Sequence, residues 1–306
     1  MSTSHLTIYK TFDQQGLNSQ YNNRAAVKDF PKFLERWEQE SERVTESLNA
    51  KLDLRYGPGE RQTLDMFLPE QPGDSMPVLA FFHGGYWQAM DKSVFRFIAE
   101  PYVQQGVMVI VPNYPLTPYA DMDELVESCR LALTWIMNES LKYGADEDRI
   151  HLSGHSAGGH LVAMMMAEKG LVDRQRHIRS GCSLSGIFDL EPIRLCYLNE
   201  KIGLDAAMTR RNSPIGLVPA TPIPFLTAVG DHESEEYHDQ SKVLADSWKE
   251  QQVIAEYRSL TDTNHFTILD RFTDRNHALH QWMMHQIDTQ RGEFLGTDDA
   301  SGASQA

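Results

Sequence analysis

Five short, nearly continuous apolar runs constrain this chain more than any other feature: Val78–Phe82, Met108–Val111, Ile150–Ser153, Cys182–Leu184 and Phe225–Val229. A strand that is apolar at successive positions buries both faces, as parallel strands do when helices cover the sheet on each side. Helical stretches lie between the runs, at Ser93–Gln105, Met122–Tyr143, Gly158–Glu168 and His238–Gln252. This alternation predicts an α/β protein with a mostly parallel, doubly wound sheet. Upstream, LDLRYG and QTLDMFLP alternate and are bounded by Gly and Pro, as an antiparallel edge pair would be. AEYRSL reads as the last strand. The stretch Asp189–Thr221 interrupts the alternation for over thirty residues, longer than a typical connection, and predicts a short cap insertion at about 189–221.

Residues 1–24 read as polar and irregular. From Asp29 the text DFPKFLERWEQESERVTESL is helical, with Pro31 where a first turn tolerates it. Phe33, Leu34, Trp37, Val44 and Leu48 share one face and the opposite face is charged. Such a helix needs something to cover, either the main domain or its pocket. The expected organisation is an N-terminal helical segment over 1–50, an α/β domain over 51–290 and a disordered tail over 291–306.

The 43 acidic residues outweigh 28 basic ones, for a net charge of −15. A field of that sign repels phosphate backbones and anionic lipid, and the sequence has no local basic patch. Neither nucleic acid nor membrane is an expected partner. Cys129, Cys182 and Cys196 lack CxxC spacing, so they form neither a disulfide framework nor a thiolate zinc site and fit a reducing compartment. The start MSTSHLTIYK lacks the apolar stretch of a signal peptide. Runs such as Val107–Val111 are too short to span a bilayer. The expected location is cytoplasmic.

The strongest local signal is Gly154-His155-Ser156-Ala157-Gly158-Gly159, between the strand RIHLS and the helix GGHLVAMMMAE. A serine on a sharp strand-to-helix turn projects its Oγ above the sheet, and small neighbours permit the turn. The helix points its first amides at the same spot. A second element, His83-Gly84-Gly85-Tyr86-Trp87, follows the strand VLAFF and can offer backbone N–H groups to an oxyanion. The donors assigned are Gly84 or Gly85, Tyr86 nearby, and Ala157. His83 is read as a packing histidine. In this arrangement the order is serine, acid, histidine, so the base expected is His265, on the loop after the last strand. His277, His280 and His285 are assigned to a solvated helix face. The acid lies on Gly230-Asp231-His232-Glu233; Glu233 is preferred and Asp231 is the alternative. Tyr86, Trp87, Tyr114, Phe188, His232 and Phe266 are the expected pocket residues, and Arg194 a candidate for a substrate carboxylate. His151, His155 and His160 span a strand, a turn and a helix, and neither HExxH, GxxxxGK[ST] nor GxGxxG occurs. No metal and no cofactor is expected.

The set HGGYWQ, GHSAGGHL, SGIFDLEPI, RNSP, VGDHESEEYHDQS and DTNHF resembles the kynurenine formamidase (arylformamidase) branch of the α/β-hydrolases, from about Tyr21 to His285. The resemblance implies an α/β-hydrolase fold, Ser156 as nucleophile, His265 as base, and an oxyanion hole from Gly84–Tyr86 with Ala157. In the family's acid block, G-x-x-D-S-P-E-F, the aspartate falls on Glu233, and the proline after the serine is replaced by Glu235. The implied function is a serine hydrolase of a small acyl amide or ester with an aryl leaving group, N-formylkynurenine being the best specific guess. The alternatives are a broad carboxylesterase or amide or carbamate hydrolase on another substrate, and, more remotely, a catalytically silent binding module. The expected partner is a small-molecule substrate, and a homodimer is compatible with the sequence.

Overall fold

A computed structural model describes residues 6–167, 177–219 and 222–289. Its sheet orders the strands β1-β2-β4-β3-β5-β6-β7-β8: β1 (Asn49–Arg55), β2 (Thr63–Leu68), β3 (Met76–Phe82), β4 (Met108–Pro112), β5 (Ala145–His155), β6 (Ile178–Leu184), β7 (Phe225–Gly230) and β8 (Ala255–Leu260). The pairs β1–β2 and β2–β4 are antiparallel and the rest are parallel. All five apolar runs lie in the parallel part, and LDLRYG and QTLDMFLP fall on the antiparallel edge pair.

The two-residue period of a strand divides the core. Val78, Ala80 and Phe82 of β3 face one apolar layer, with the helices Met122–Glu139, Ala157–Met166 and Glu235–Glu250. Leu79 and Phe81 face the other, with Phe30–Ser47, Ile268–Thr273 and Ala278–Thr289. The predicted helix at Ser93–Gln105 is a 3-10 segment, Lys92–Ile98, running into a short α-helix, Ala99–Val103.

On the N-terminal helix Phe30–Ser47, Trp37, Ser41 and Val44 are buried, the spacing of one helical face. The polar Ser41 is tolerated there because its Oγ donates to the Val94 carbonyl and accepts from the Phe97 amide, at 3.0 and 3.1 Å. The region before this helix departs from expectation. Gln14–Gln20 and Asn23–Ala26 are short helices, each with a side-chain cap, Asp13 to the Gly16 amide and Asn22 to the Ala25 amide. Local capping formed these turns where no apolar periodicity announced them.

His280 also departs from expectation. It is buried against the Tyr102 ring and hydrogen-bonded to the Phe272 carbonyl, because its helix lays that face on the second apolar layer. His285 is exposed. The Asp189–Thr221 stretch contains short helices at Glu191–Leu195, Asn199–Ile202 and Ala206–Arg211. The tail 291–306 lies outside the described residues. No described helix is long and apolar enough to cross a membrane, and the three cysteines are buried and free.

Candidate active site

Each candidate site segment follows the carboxyl end of a parallel strand, where open α/β sheets place their ligands. The His83–Tyr86 loop follows β3, Ser156 follows β5, Glu233 follows β7 and His265 follows β8. Register brings them together in pairs: Phe82 lies opposite Gly154, and Gly230 opposite Leu260.

Ser156 sits at φ +56° and ψ −117°, directly before the helix Ala157–Met166. Such a backbone costs about 1–3 kcal/mol and persists only where its surroundings hold it. Here the neighbours are clamped. A Cβ on Gly158 would stand 1.9 Å from the Phe82 carbonyl oxygen, so only glycine lets the helix start press against the end of β3. Gly84 abuts the serine; a Cβ there would lie 3.2 Å from that of Ser156. Gly85, at φ +115°, turns the loop so that the Gln88 and Ala89 amides return to its carbonyl. Ala157 is the first helical residue, and its amide is among those with no carbonyl partner inside the helix.

The loop after β7 separates the two candidate acids. Glu233 is buried; its Oε2 lies 2.6 Å from His265 Nδ1, and its Oε1 accepts from the Gly230 amide at 2.8 Å and Ser185 Oγ at 2.5 Å. An acceptor-only carboxylate leaves Nδ1 as the donor, so Nε2 of His265 is free to accept. Asp231 instead accepts from the amides of Asp262 and Thr263, at 3.1 and 3.0 Å. It ties the two loops together without reaching the imidazole. Glu235 is exposed in the first turn of its helix, where a negative charge meets the helix dipole favourably.

Ser156 and His265 line one cavity of about 400 Å³, together with Gly84, Gly85, Tyr86 and Phe266. His155 braces the site from below. Its Nε2 donates to the His265 carbonyl at 2.7 Å, and burial with the nearby His265 holds its imidazole well below the usual histidine range. His83 is stacked between Phe95 and Tyr114, and burial lowers it to about 4.

Four expected pocket residues do not line the cavity. Trp87 is buried and donates its indole N–H to His160 Nδ1 at 3.2 Å. Tyr114 stacks on His83 and donates to its carbonyl at 2.6 Å. Phe188 lies in the apolar layer, and His232 is exposed beside Asp231. Trp87, Tyr114 and Phe188 turn inward to the support of the site loops, and His232 turns outward to solvent. Arg194 pairs with Glu191 at 2.6 Å. His151, His155 and His160 bond to different partners, Ser180, the His265 carbonyl and the Asn212 carbonyl. Among the described residues no three metal-ligating side chains converge.

In place of those four, the wall holds Phe30 and Trp37 of the N-terminal helix, Phe95, Asn23, Arg24, and Lys201 of the cap insertion. Asn23 and Arg24 lie in the stretch read as irregular, with no periodic signal to mark them. Arg24 sits over the Phe30 ring at 4.9 Å, and Lys201 donates to the Gln88 carbonyl at 3.2 Å. No carboxylate is among the described lining residues.

The BD-FAE family model matches residues 64–248, more than half of the chain. The chain belongs to the BD-FAE family. As a BD-FAE member it is similar to the kynurenine formamidase of Danio rerio, 29% identical over 81% of this chain and 85% of that one. It is also similar to that of Drosophila melanogaster, 29% identical over 78% of this chain and 82% of that one. Among solved structures it resembles a provisionally named thioesterase of a Silicibacter species, with TM-score 0.79 at 29% identity over 88% of this chain and 98% of that one. Esterase B of Lactobacillus rhamnosis shares the fold, with TM-score 0.68 at 18% identity over 90% and 99%. The protein is an α/β-hydrolase whose sequence is kynurenine formamidase-like.

Proposed function

We propose that this α/β-hydrolase is a serine hydrolase of small acyl amides or esters with aryl leaving groups, and that N-formylkynurenine is its substrate. One observation carries the reading: Ser156, on its strained turn, shares a cavity with His265, whose Nδ1 is held by a buried carboxylate. His265 Nε2 takes the proton from Ser156 Oγ as it attacks the acyl carbon, and Glu233 stabilises the imidazolium. The backbone N–H groups of Gly84–Tyr86 and Ala157 hold the oxyanion, each donor contributing about 2.7–4 kcal/mol. His265 passes the proton to the departing aniline nitrogen. Water then adds to the formyl-enzyme, the C–Oγ bond breaks and formate leaves.

The wall supports an aryl substrate carrying a carboxylate. Phe30, Trp37, Phe95 and Phe266 offer ring faces, while Arg24 and Lys201 are positive in a chain of net charge −15. Both cations are exposed, so each is worth at most about 1 kcal/mol. Arg24→Ala and Lys201→Ala are each expected to raise KM for N-formylkynurenine by about three- to fivefold, with a smaller effect on a neutral aryl ester. The likeness to the Silicibacter protein favours a second reading, an ester or thioester hydrolase with the same machinery. The deciding measurement is kcat/KM for N-formylkynurenine beside p-nitrophenyl acetate and an acyl thioester. A preference for the formamide supports the first reading, and poor formamide turnover beside fast ester or thioester cleavage supports the second.

The acid assignment carries its own test. Glu233→Gln removes the charge that stabilises the imidazolium and is expected to lower kcat by up to about 10⁴-fold. Asp231→Asn, which weakens only a tie between loops, is expected to lower the melting temperature more than the rate. The opposite ranking in steady-state kinetics would move the acid two residues back.

A further inference from the structure

The loop after β3 carries two strained residues in a row. Tyr86 and Trp87 sit at φ +51° and +58°, the left-handed region that residues with a Cβ seldom enter. Such backbone persists only where its surroundings over-determine it, and here each side chain is tied at its tip. Trp87 reaches inward, its indole N–H donating to His160 Nδ1 at 3.2 Å, on the helix that begins after Ser156. Tyr86 reaches the other way, to the N-terminal segment. Its hydroxyl donates to the Tyr21 carbonyl at 2.6 Å and accepts from Asn23 Nδ2 at 3.0 Å. Its single proton is thereby spent, so the Tyr237 hydroxyl, 2.8 Å away, is the donor of that pair. The buried Asn23 gives its other Nδ2 proton to the Tyr237 hydroxyl at 2.8 Å. The Tyr86 oxygen therefore has its proton and both acceptor positions engaged.

Resting on the serine-hydrolase reading above, we propose that Asn23 is a positioning residue for the oxyanion loop: by holding the Tyr86 hydroxyl from the N-terminal segment, it fixes the direction of the Tyr86 backbone N–H. The phenol ring is a rigid lever. Only two rotatable bonds separate the ring from the Cα, so a fixed hydroxyl leaves the strained backbone little room. Without Asn23 the Tyr86 oxygen keeps its bond to the Tyr21 carbonyl but loses a donor, and Tyr237 loses the donor that holds it in reach. Tyr86 then has less to oppose relaxation out of the left-handed region, which swings its N–H away from the oxyanion. A donor aimed at that position is worth most where charge develops. The contribution of Asn23 therefore falls on the transition state rather than on substrate binding, and on acylation and deacylation alike, since both pass through an oxyanion.

Asn23 also lines the cavity, and two aryl ketones separate the two roles. Trifluoroacetophenone takes Ser156 Oγ onto its carbonyl carbon, the Oγ proton passes to His265, and the ketone oxygen becomes the oxyanion. Acetophenone, whose carbonyl is not activated, stays planar and reads the wall alone. Asn23→Ala is expected to lower kcat on p-nitrophenyl acetate by about 10- to 100-fold, with KM within about twofold of the wild type. Its Ki for trifluoroacetophenone should rise by a similar factor, and that for acetophenone by less than about twofold. Asn23→Asp keeps the size of the side chain, but as a carboxylate it has no proton to give, and the same pattern is expected at mildly alkaline pH. Unchanged kcat in both variants, or equal weakening of both ketones, would overturn the proposal and leave Asn23 a residue of the wall. A kcat loss confined to temperatures at which the variants melt would overturn it as well. No adduct on Ser156 in the wild type, or turnover surviving in Ser156→Ala, would overturn the serine reading itself.

Discussion

Ser156→Ala is expected to lower kcat by about 10⁶-fold, the scale of removing a serine nucleophile from an intact triad, with little change in melting temperature. The two halves of this expectation have separate physical grounds. The rate is expected to fall because, on the proposed mechanism, Ser156 is the nucleophile and shares its cavity with an imidazole backed by a buried carboxylate. Stability is spared because the Ser156 side chain caps nothing on the helix that follows it. Alanine bears the same Cβ, so the strain at φ +56° is neither relieved nor increased. Steady-state kinetics on an aryl ester and on N-formylkynurenine, with a thermal melt, measure both. Retention of a percent or more of the wild-type rate would place the nucleophile elsewhere.

Mild acid is expected to destabilise the protein steeply, at a pH where ordinary carboxylates are still ionised. His83, His151 and His160 are fully buried, and burial lowers them to about 4, 3 and 4. In the unfolded chain each titrates near 6.5. Above that pH both states are neutral at these positions, and they contribute no pH dependence. Between about 6.5 and 4 the unfolded chain binds three protons that the folded chain refuses, so stability falls as pH falls. Each group adds a slope of at most about 1.4 kcal/mol per pH unit, or about 4 for the three together. Two pH units then remove an amount comparable to the whole stability of an ordinary domain, about 5–15 kcal/mol. Burial raises Glu40 and Asp270, which oppose the trend at the low end of the range. Urea unfolding at pH 5, 6, 7 and 8 should give a level line from 7 to 8 and a steep loss below 6.5. A level line down to pH 5 would show that these imidazoles are protonated inside the fold.

The parallel sheet was legible because it is written in residue type. Val78–Phe82 is apolar at every position and Phe225–Val229 at every position but Thr227, as suits a strand covered on both faces. The serine turn was legible for a related reason, since the close approach of the Gly158 backbone to the Phe82 carbonyl admits no Cβ, and that demand appears as a glycine. Choosing between Asp231 and Glu233 was a matter of two residues on one loop. The resemblance to the formamidase branch favoured Glu233, and the structure brings that carboxylate to the His265 ring while turning Asp231 to the Thr263 amide.

The sequence by itself placed the candidate residues along the chain: a glycine-flanked serine turn after β5, a loop with two acidic candidates after β7 and a histidine loop after β8. Only the tertiary structure decided what surrounds them. Asn23 reaches Tyr237 across 214 residues, Phe30 and Trp37 arrive from the N-terminal helix, and Lys201 arrives from the cap insertion. Trp87, Tyr114 and Phe188, close to the site in sequence, turn away into its support. The physical reason is range. Glycine turns and apolar runs record constraints that act on neighbouring residues. A pocket wall is assembled from side chains whose direction is set by packing between distant segments, and no local pattern carries that information.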